Sequence, residues 1–160
     1  MADRFADHFD VLAAPRAALP WILETFRGQL ERIDGGPREC AGQQKRALGR
    51  IVHTGAGAAA IIVPRGYPDD FAGWAVELNG ALAFAYVRLD LRRQGLGSRL
   101  LCELPLRLPL SCAYWTDSAE AMACGGFPIH YDIHAYRALL AFVRGPRDFT
   151  PTPITERPAA

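Results

Sequence analysis

The segment Arg92-Arg93-Gln94-Gly95-Leu96-Gly97-Ser98 has the residue types and the spacing to bind an anion. It follows the apolar run 81–87 and precedes leucines at helical spacing, so an R-x-x-G-x-G turn connects a predicted strand to a predicted helix. A helix N-terminus offers free backbone N–H groups and the positive end of a dipole, and glycine lets the backbone approach its ligand closely. The pattern therefore predicts a turn that cradles a pyrophosphate group.

A second set of side chains has the chemistry to move protons. Segment 129–134 reads Ile-His-Tyr-Asp-Ile-His, the densest collection of such groups in the chain, with His130 and Tyr131 as its acid–base candidates. These residues are equally compatible with ordinary loop polarity, and as a metal site they lack a third convincing ligand. Asp117 follows a predicted parallel strand, where open α/β sheets place their sites, although it could instead cap the next helix. Glu77, beside a predicted hairpin turn, is expected to be solvated.

The first half of the chain predicts one helix and a series of strands. Apolar residues at helical spacing predict a helix over 20–33, ended by Asp-Gly-Gly-Pro, and a polar connector follows to about Lys45. Two short strands are predicted at 49–53 and 58–63. The runs 71–78 and 81–89 are joined by Asn-Gly, a strong hairpin signal, and the almost wholly apolar second run predicts a strand covered on both faces.

The second half predicts a parallel crossover. Leucines at 96, 100, 101 and 104 line one face of a short helix that Pro105 ends, and a strand is predicted at 111–115. A short helix over 118–124 ends at two glycines. Segment 133–143 is compatible with a helix capped by Asp132 or with a final strand. The domain is expected to span 1–145, with a proline-rich tail over 146–160.

The motif and its surroundings resemble the GCN5-related N-acetyltransferase (GNAT) superfamily. The match is specific at 87–101, where Arg92, Gly95 and Gly97 fit the family's [QR]-x-x-G-x-[GA] core, and weaker at 119–127, which ends in Gly-Phe. The resemblance implies an α/β (α+β) fold: a mixed, mostly antiparallel twisted sheet with a splayed parallel central strand pair and flanking helices. It also implies acetyl-CoA, or another acyl-CoA, as co-substrate. The residues it implies for cofactor binding are Val87, Leu89, Arg92, Arg93, Gln94, Gly95, Leu96, Gly97 and Ser98, the first two through the backbone.

The resemblance leaves the activity open. Many members carry a tyrosine, acting as general acid, five residues before the Phe of the Gly-Phe pair, and that position is Met122 in this chain. His130 or Tyr131 could replace it from a neighbouring segment. The leading hypothesis is an N-acyltransferase in which a small-molecule or protein amine attacks the thioester directly in a ternary complex. The alternatives are an inactive acetyltransferase-fold interaction module and an enzyme that modifies a nucleic-acid base or tRNA.

Composition limits the remaining possibilities. With 160 residues, half of them apolar, the chain can bury one sizeable core. A net charge of +1 argues against a protein that binds nucleic acid through its phosphates. Four widely spaced cysteines predict buried free thiols in a reducing compartment. The lack of a membrane-length apolar stretch or signal segment predicts a cytoplasmic protein with no membrane partner. A homodimer through an edge strand near the C-terminus is also compatible.

Overall fold

The computed structural model describes residues 5–34 and 38–143. One six-stranded sheet runs through this part of the chain, with its strands in the spatial order β1-β2-β3-β4-β5-β6. The strands are β1 (Phe9–Ala13), β2 (Ala59–Pro64), β3 (Gly73–Leu78), β4 (Ala81–Val87), β5 (Leu110–Cys112) and β6 (Ile129–Tyr131). The α-helices are α1 (Leu19–Asp34), α2 (Arg38–Thr54), α3 (Leu96–Glu103), α4 (Asp117–Cys124) and α5 (Ile133–Ala141).

The sheet is mixed, as predicted. Strands β1 to β4 pair antiparallel in chain order, whereas β4–β5 and β5–β6 are parallel. Helices α1, α2 and α5 cover one face, which we call the aromatic face because Phe26, Trp74 and Phe84 are buried there. Helices α3 and α4 cover the opposite face, which we call the α3 face, where Leu96 and Leu100 are buried. The parallel connection through α3 therefore crosses from β4 to β5 on the α3 face.

The β3–β4 hairpin is confirmed. Asn79 and Gly80 have φ of 56° and 83°, the left-handed backbone that a type I′ turn needs at both central positions. Burial is distributed differently from the prediction, because β3 is the strand buried along its whole length. In β4 only 82–84 is fully buried, and its last three residues are half-exposed.

Two expectations for the first half are wrong. The predicted connector to Lys45 and the predicted strand 49–53 are both parts of helix α2. Ala41, Gln44, Leu48 and Ile51 recur at helical spacing and are buried. The β-branched pair at 51–52 favoured a strand locally, but packing against α1, α5 and the sheet decided the helix.

The short elements near the C-terminus complete the sheet. Strand β6 occupies part of the predicted polar cluster, and the N-terminal strand β1 was not predicted. Segment 133–143 is helical over α5, and the Asp132 side chain accepts a hydrogen bond from His134 N at 2.8 Å, as an N-cap does. The predicted tail at 146–160 lies outside the described residues. No helix among the described residues has both the length and the apolar character needed to span a membrane.

Glu77 is buried rather than solvated. Only 7% of the residue is exposed, and its carboxylate accepts hydrogen bonds from Gly80 N and Ala58 N. The side chain therefore ties the hairpin turn to the start of β2, which is a structural use of the carboxylate.

Candidate functional site

Strands β4 and β5 separate at the centre of the sheet. They share one paired position, Leu82 with Cys112, and Ala113 N donates to Leu82 O at 3.0 Å. Beyond this point β4 continues to Val87 on β3 alone, whereas the end of β5 stays with β6, since Asp132 N donates to Cys112 O. The predicted splayed pair is confirmed, and it opens a gap toward the carboxyl ends of both strands.

A bulge turns the backbone of β4 toward this gap. Leu82 O faces β5, whereas Arg88 N, six residues later, donates to Ala72 O on the β3 side at 2.9 Å. In a regular strand both residues would face the same neighbour, because backbone groups alternate with a period of two. The register shift opposite Val76 and Glu77 supplies the change of parity. Backbone groups of Ala85 and Val87 therefore face the gap.

The Val87 carbonyl is already engaged by the motif arginine. Arg92 Nε donates to Val87 O at 2.9 Å, and the guanidinium carbon lies 5.7 Å from the centroid of the Tyr86 ring. The Tyr86 side chain packs with Trp21 and Phe71 on the aromatic face. Arg92 thus folds back over the end of β4. Leu89 lies in the following 3₁₀ turn with 71% of the residue exposed.

The motif glycines begin helix α3 in two different ways. Gly95 is the N-cap residue with φ of 83°, a conformation that favours glycine, and within the described chain no side chain caps this helix start. At Gly97, a Cβ would meet only Val87 Cγ2, at 4.0 Å. Packing within the protein therefore does not require glycine at 97. The open space there can hold a ligand against the backbone N–H groups of 96–98.

The remaining motif residues surround this start. Leu96 is buried and anchors the helix on the α3 face, so only its backbone is available to a ligand. Gln94 is half-buried, and Ser98 and Arg93 are exposed. Arg93 has a positive φ of 62° and no ion-pair partner among the described residues. The turn thus presents backbone donors together with one exposed cation.

Nearby arginines are committed elsewhere. Arg88 pairs with Asp70 at 3.0 Å and with Asp90 at 2.8 Å, and its hydrogen bond lowers the pKa of the Asp90 carboxyl. Arg99 donates to the carbonyls of Ala6 and Phe9, which fastens the N-terminal segment to α3. Of the four arginines at 88–99, Arg92 and Arg93 therefore remain as candidate cations at the turn.

The three acid–base candidates do not converge. His130 Nε2 lies 3.1 Å from Ser111 Oγ, whereas Tyr131 pairs with Cys112 in the next register position. Neighbouring positions of a strand point to opposite faces, so the two side chains diverge. Strand β6 lies two strands from β4, a backbone separation of about 10 Å at ordinary strand spacing. Asp117 is exposed in the first turn of α4. The N-cap of this helix is Thr116 and not Asp117, because Thr116 Oγ1 accepts a hydrogen bond from Ala119 N.

A buried hydrogen-bonded chain beside the gap was not predicted. Tyr114 Oη donates to Gln44 Oε1 at 2.6 Å, and Gln44 Nε2 donates to Tyr136 Oη at 3.3 Å. The Tyr114 ring lies 5.5 Å from Phe84 of β4, so it lines the aromatic-face side of the gap. Position 114 lies inside the predicted strand 111–115, which gave no sign of a hydrogen-bond partner. Its partner at 44 lay in the supposed connector.

The other titratable and metal-ligating side chains of the described residues form no further candidate site. Burial raises the pKa of the Cys112 thiol to about 11, with a smaller contribution from the Asp132 charge, so the thiol stays protonated at neutral pH. Cys102, Cys112 and Cys124 are free thiols, as predicted, but of the three only Cys112 is buried, because Cys102 and Cys124 are exposed. Met122 packs against the α3-face core. Over 5–34 and 38–143, no three His, Cys, Asp or Glu side chains are placed to hold a metal ion.

Comparison with known proteins identifies the fold. No protein-family model matches the chain, and no curated protein sequence does. A possible acetyltransferase from Clostridium difficile 630 superposes with a TM-score of 0.52 at 10% identity, covering 74% of this chain and 87% of its own. A GNAT-family acetyltransferase from Staphylococcus aureus Mu50 gives a TM-score of 0.46 at 15% identity, covering 84% of this chain and 79% of its own. The first of these similarities shows that the chain has an acetyltransferase-like fold.

Proposed function

We propose that this chain is an acyl-CoA-dependent N-acyltransferase, with acetyl-CoA or a related acyl-CoA as donor and an amine as acceptor. The observation that carries the proposal is the open start of α3 at the mouth of the β4–β5 gap. Backbone donors there adjoin a gap lined by the unpaired edge of β4. The fold and this geometry support the same reaction class.

The residues present fit such a donor. The space beside Gly97 is open, because a Cβ there would meet only Val87 Cγ2 at 4.0 Å. A diphosphate therefore has room to reach the N–H groups of 96–98. Arg93 is exposed beside it, and Gln94 lies in the same turn. The gap-facing backbone of Ala85 and Val87 offers partners for the amide groups of a pantetheine arm, while exposed Leu89 marks where the arm would pass. An acyl-CoA supplies the reactive thioester.

In the proposed reaction an amine nitrogen bonds to the thioester carbonyl carbon, and the C–S bond breaks. The amine loses a proton and the departing thiolate gains one, so two proton transfers need acid–base groups. The thioether of Met122, which packs against the α3-face core, can do neither. We assign these roles to Asp117, His130 and Tyr131 as hypotheses. Asp117, which follows β5 at the carboxyl end where the gap opens, is the first to test.

Calorimetric titration with acetyl-CoA tests donor binding. The wild-type protein should bind at micromolar to millimolar concentrations, and Gly97→Glu should abolish binding because a carboxylate would occupy the diphosphate position. Gly28→Glu is the matched control: it adds the same charge in α1, where a Cβ meets nothing within 4 Å. Absence of binding at millimolar acetyl-CoA, or equal binding by the wild type and Gly97→Glu, would refute the proposal.

Met122 favours one second candidate, a donor-binding module without catalysis. This candidate expects acetyl-CoA to bind but no CoA thiol to be released with any amine. A thiol-release assay over a broad panel of small-molecule and peptide amines separates the two, since release above the rate without protein excludes the inactive module.

A further inference from the structure

Arg92 contacts both the Val87 carbonyl and the Tyr86 ring, and a bound donor would have to break these contacts. Its Nε donates to the Val87 carbonyl, the last gap-facing acceptor of β4, at 2.9 Å. Its guanidinium lies against the Tyr86 ring, 5.7 Å from the centroid. The acceptor is therefore engaged and the end of the gap is covered by a cation.

The Tyr86 ring that Arg92 contacts and helix α3 lie on opposite faces of the sheet. Tyr86 packs on the aromatic face, whereas α3 packs on the α3 face. Arg92 therefore contacts a ring that packs across the sheet from the face on which α3 lies. It cannot hold the Tyr86 ring and a diphosphate at the start of α3 at the same time.

No other motif arginine substitutes for it. Arg88 is engaged by Asp70 and Asp90, and Arg99 by the carbonyls of Ala6 and Phe9. Arg93 is exposed and has no bond to β4. Of these arginines, Arg92 is the one whose partner lies in the gap.

We propose that Arg92 is a donor-specificity residue. Its hydrogen bond to Val87 O, which we call the latch, closes the β4–β5 gap to a pantetheine arm, and the diphosphate of an acyl-CoA releases it. This inference rests on the proposed function. A hydrogen bond to a charged phosphate is stronger than one to a neutral carbonyl, so a diphosphate at the start of α3 draws the guanidinium off Val87 O. Release frees that carbonyl for an amide of the pantetheine arm. A thioester that lacks the diphosphate must displace the latch without this compensation.

The two classes of donor then respond to loss of the latch in opposite directions. In Arg92→Ala, acetyl-CoA loses a charged contact and its Kd should rise about tenfold or more, corresponding to at least about 1.4 kcal/mol. The same variant should bind S-acetylpantetheine, which has no phosphate, several-fold more tightly than wild type. Arg93→Ala is the matched control, since it removes an equal charge from the turn but leaves the latch. It should weaken acetyl-CoA binding and leave S-acetylpantetheine binding unchanged.

The measurements are calorimetric titrations of both thioesters, with thermal unfolding to show that each variant is folded. Equal weakening of both donors in Arg92→Ala, or unchanged S-acetylpantetheine binding, would overturn the latch. A second reading uses the wild type alone: the Arg92 Nε–H resonance should shift on saturation with acetyl-CoA, and an unshifted resonance would also overturn it. If the wild type does not bind acetyl-CoA at all, the proposed function fails instead.

Discussion

Replacing Gly97 with alanine should stabilise the free protein, whereas replacing it with glutamate should weaken its binding of acetyl-CoA. Gly97 is in the first turn of α3, its φ is not positive, and an added Cβ would meet only Val87 Cγ2 at 4.0 Å. Alanine is favoured over glycine by about 0.8–1.0 kcal/mol in a helix interior, and by less in a first turn. We expect a gain of about 0.5 kcal/mol in the free energy of unfolding. A glutamate side chain at 97 would stand where the diphosphate meets the backbone, whereas alanine is accepted at this position of the motif that 92–97 resembles.

Gly28 and Gly95 provide comparisons for the expected change in the free energy of unfolding. Gly28→Ala lies inside α1 with open space around the Cβ and should gain about 1 kcal/mol without affecting ligand binding. Gly95→Ala must hold a φ of 83° and should lose about 1–2 kcal/mol. For a domain of this size, 1 kcal/mol corresponds to a change of about 2–4 °C in Tm. The expected order of Tm in the free state is therefore Gly28→Ala, Gly97→Ala, wild type, Gly95→Ala.

Thermal unfolding followed by circular dichroism, with and without acetyl-CoA, measures both effects. A ligand raises Tm in proportion to ln(1 + [L]/Kd), so a weaker Kd appears as a smaller ligand-induced rise. If glutamate at 97 prevents one charge-assisted hydrogen bond, about 1.5–3 kcal/mol, the Kd should increase about 10- to 150-fold. A lowered Tm in free Gly97→Ala would show that the space is not open. A full ligand-induced rise in Gly97→Glu would show that this turn does not hold the donor.

Glu77→Gln should lower the free energy of unfolding by about 1–3 kcal/mol, because the amide cannot accept both backbone hydrogen bonds of the buried carboxylate. Urea titration measures the change, with exposed Glu103→Gln as a control expected within about 0.5 kcal/mol of wild type, and an equally small effect at Glu77 would contradict the reading of this carboxylate. For Cys112, the folded pKa of about 11 lies above the ordinary value of 9.0, so the unfolded thiol loses its proton first. Its contribution to stability is therefore constant below pH 9 and falls as the pH rises toward 11. In the native protein at pH 8, iodoacetamide should label Cys102 and spare Cys112 until denaturant is added, as peptide mass spectrometry would show; native labelling of Cys112 would refute its burial.

Much of the fold could be predicted because its signals are local. Asn79-Gly80 and Gly95 occupy positions with positive φ, and such residues specify their turns whatever surrounds them. The leucine spacing of α3 and the glycines after α4 likewise predict helix limits from neighbouring residues alone. Together they placed the predicted anion-binding turn between a central strand and a crossover helix, which was enough for the GNAT resemblance.

The elements that were missed depend on distant partners. Strand β6 has three residues and exists because Leu110 to Cys112 pair with it. Helix α2 contains β-branched residues and two glycines, and its conformation is decided by burial between α1, α5 and the sheet. Its Gln44 reaches Tyr114 and Tyr136, 70 and 92 residues away along the chain. No local pattern reports such contacts.

For the candidate site, the sequence by itself determined which residue types stand at the turn and that the turn begins a helix. Only the tertiary structure decided how they are directed. The bulge in β4 turns Val87 O into the gap, Arg92 folds onto it from the turn, and strand alternation sends His130 and Tyr131 to opposite faces. The sequence specifies the type of each side chain, but its direction depends on the register of its strand and on the alternation of residues along it. The register is set only when strands far apart in sequence pair.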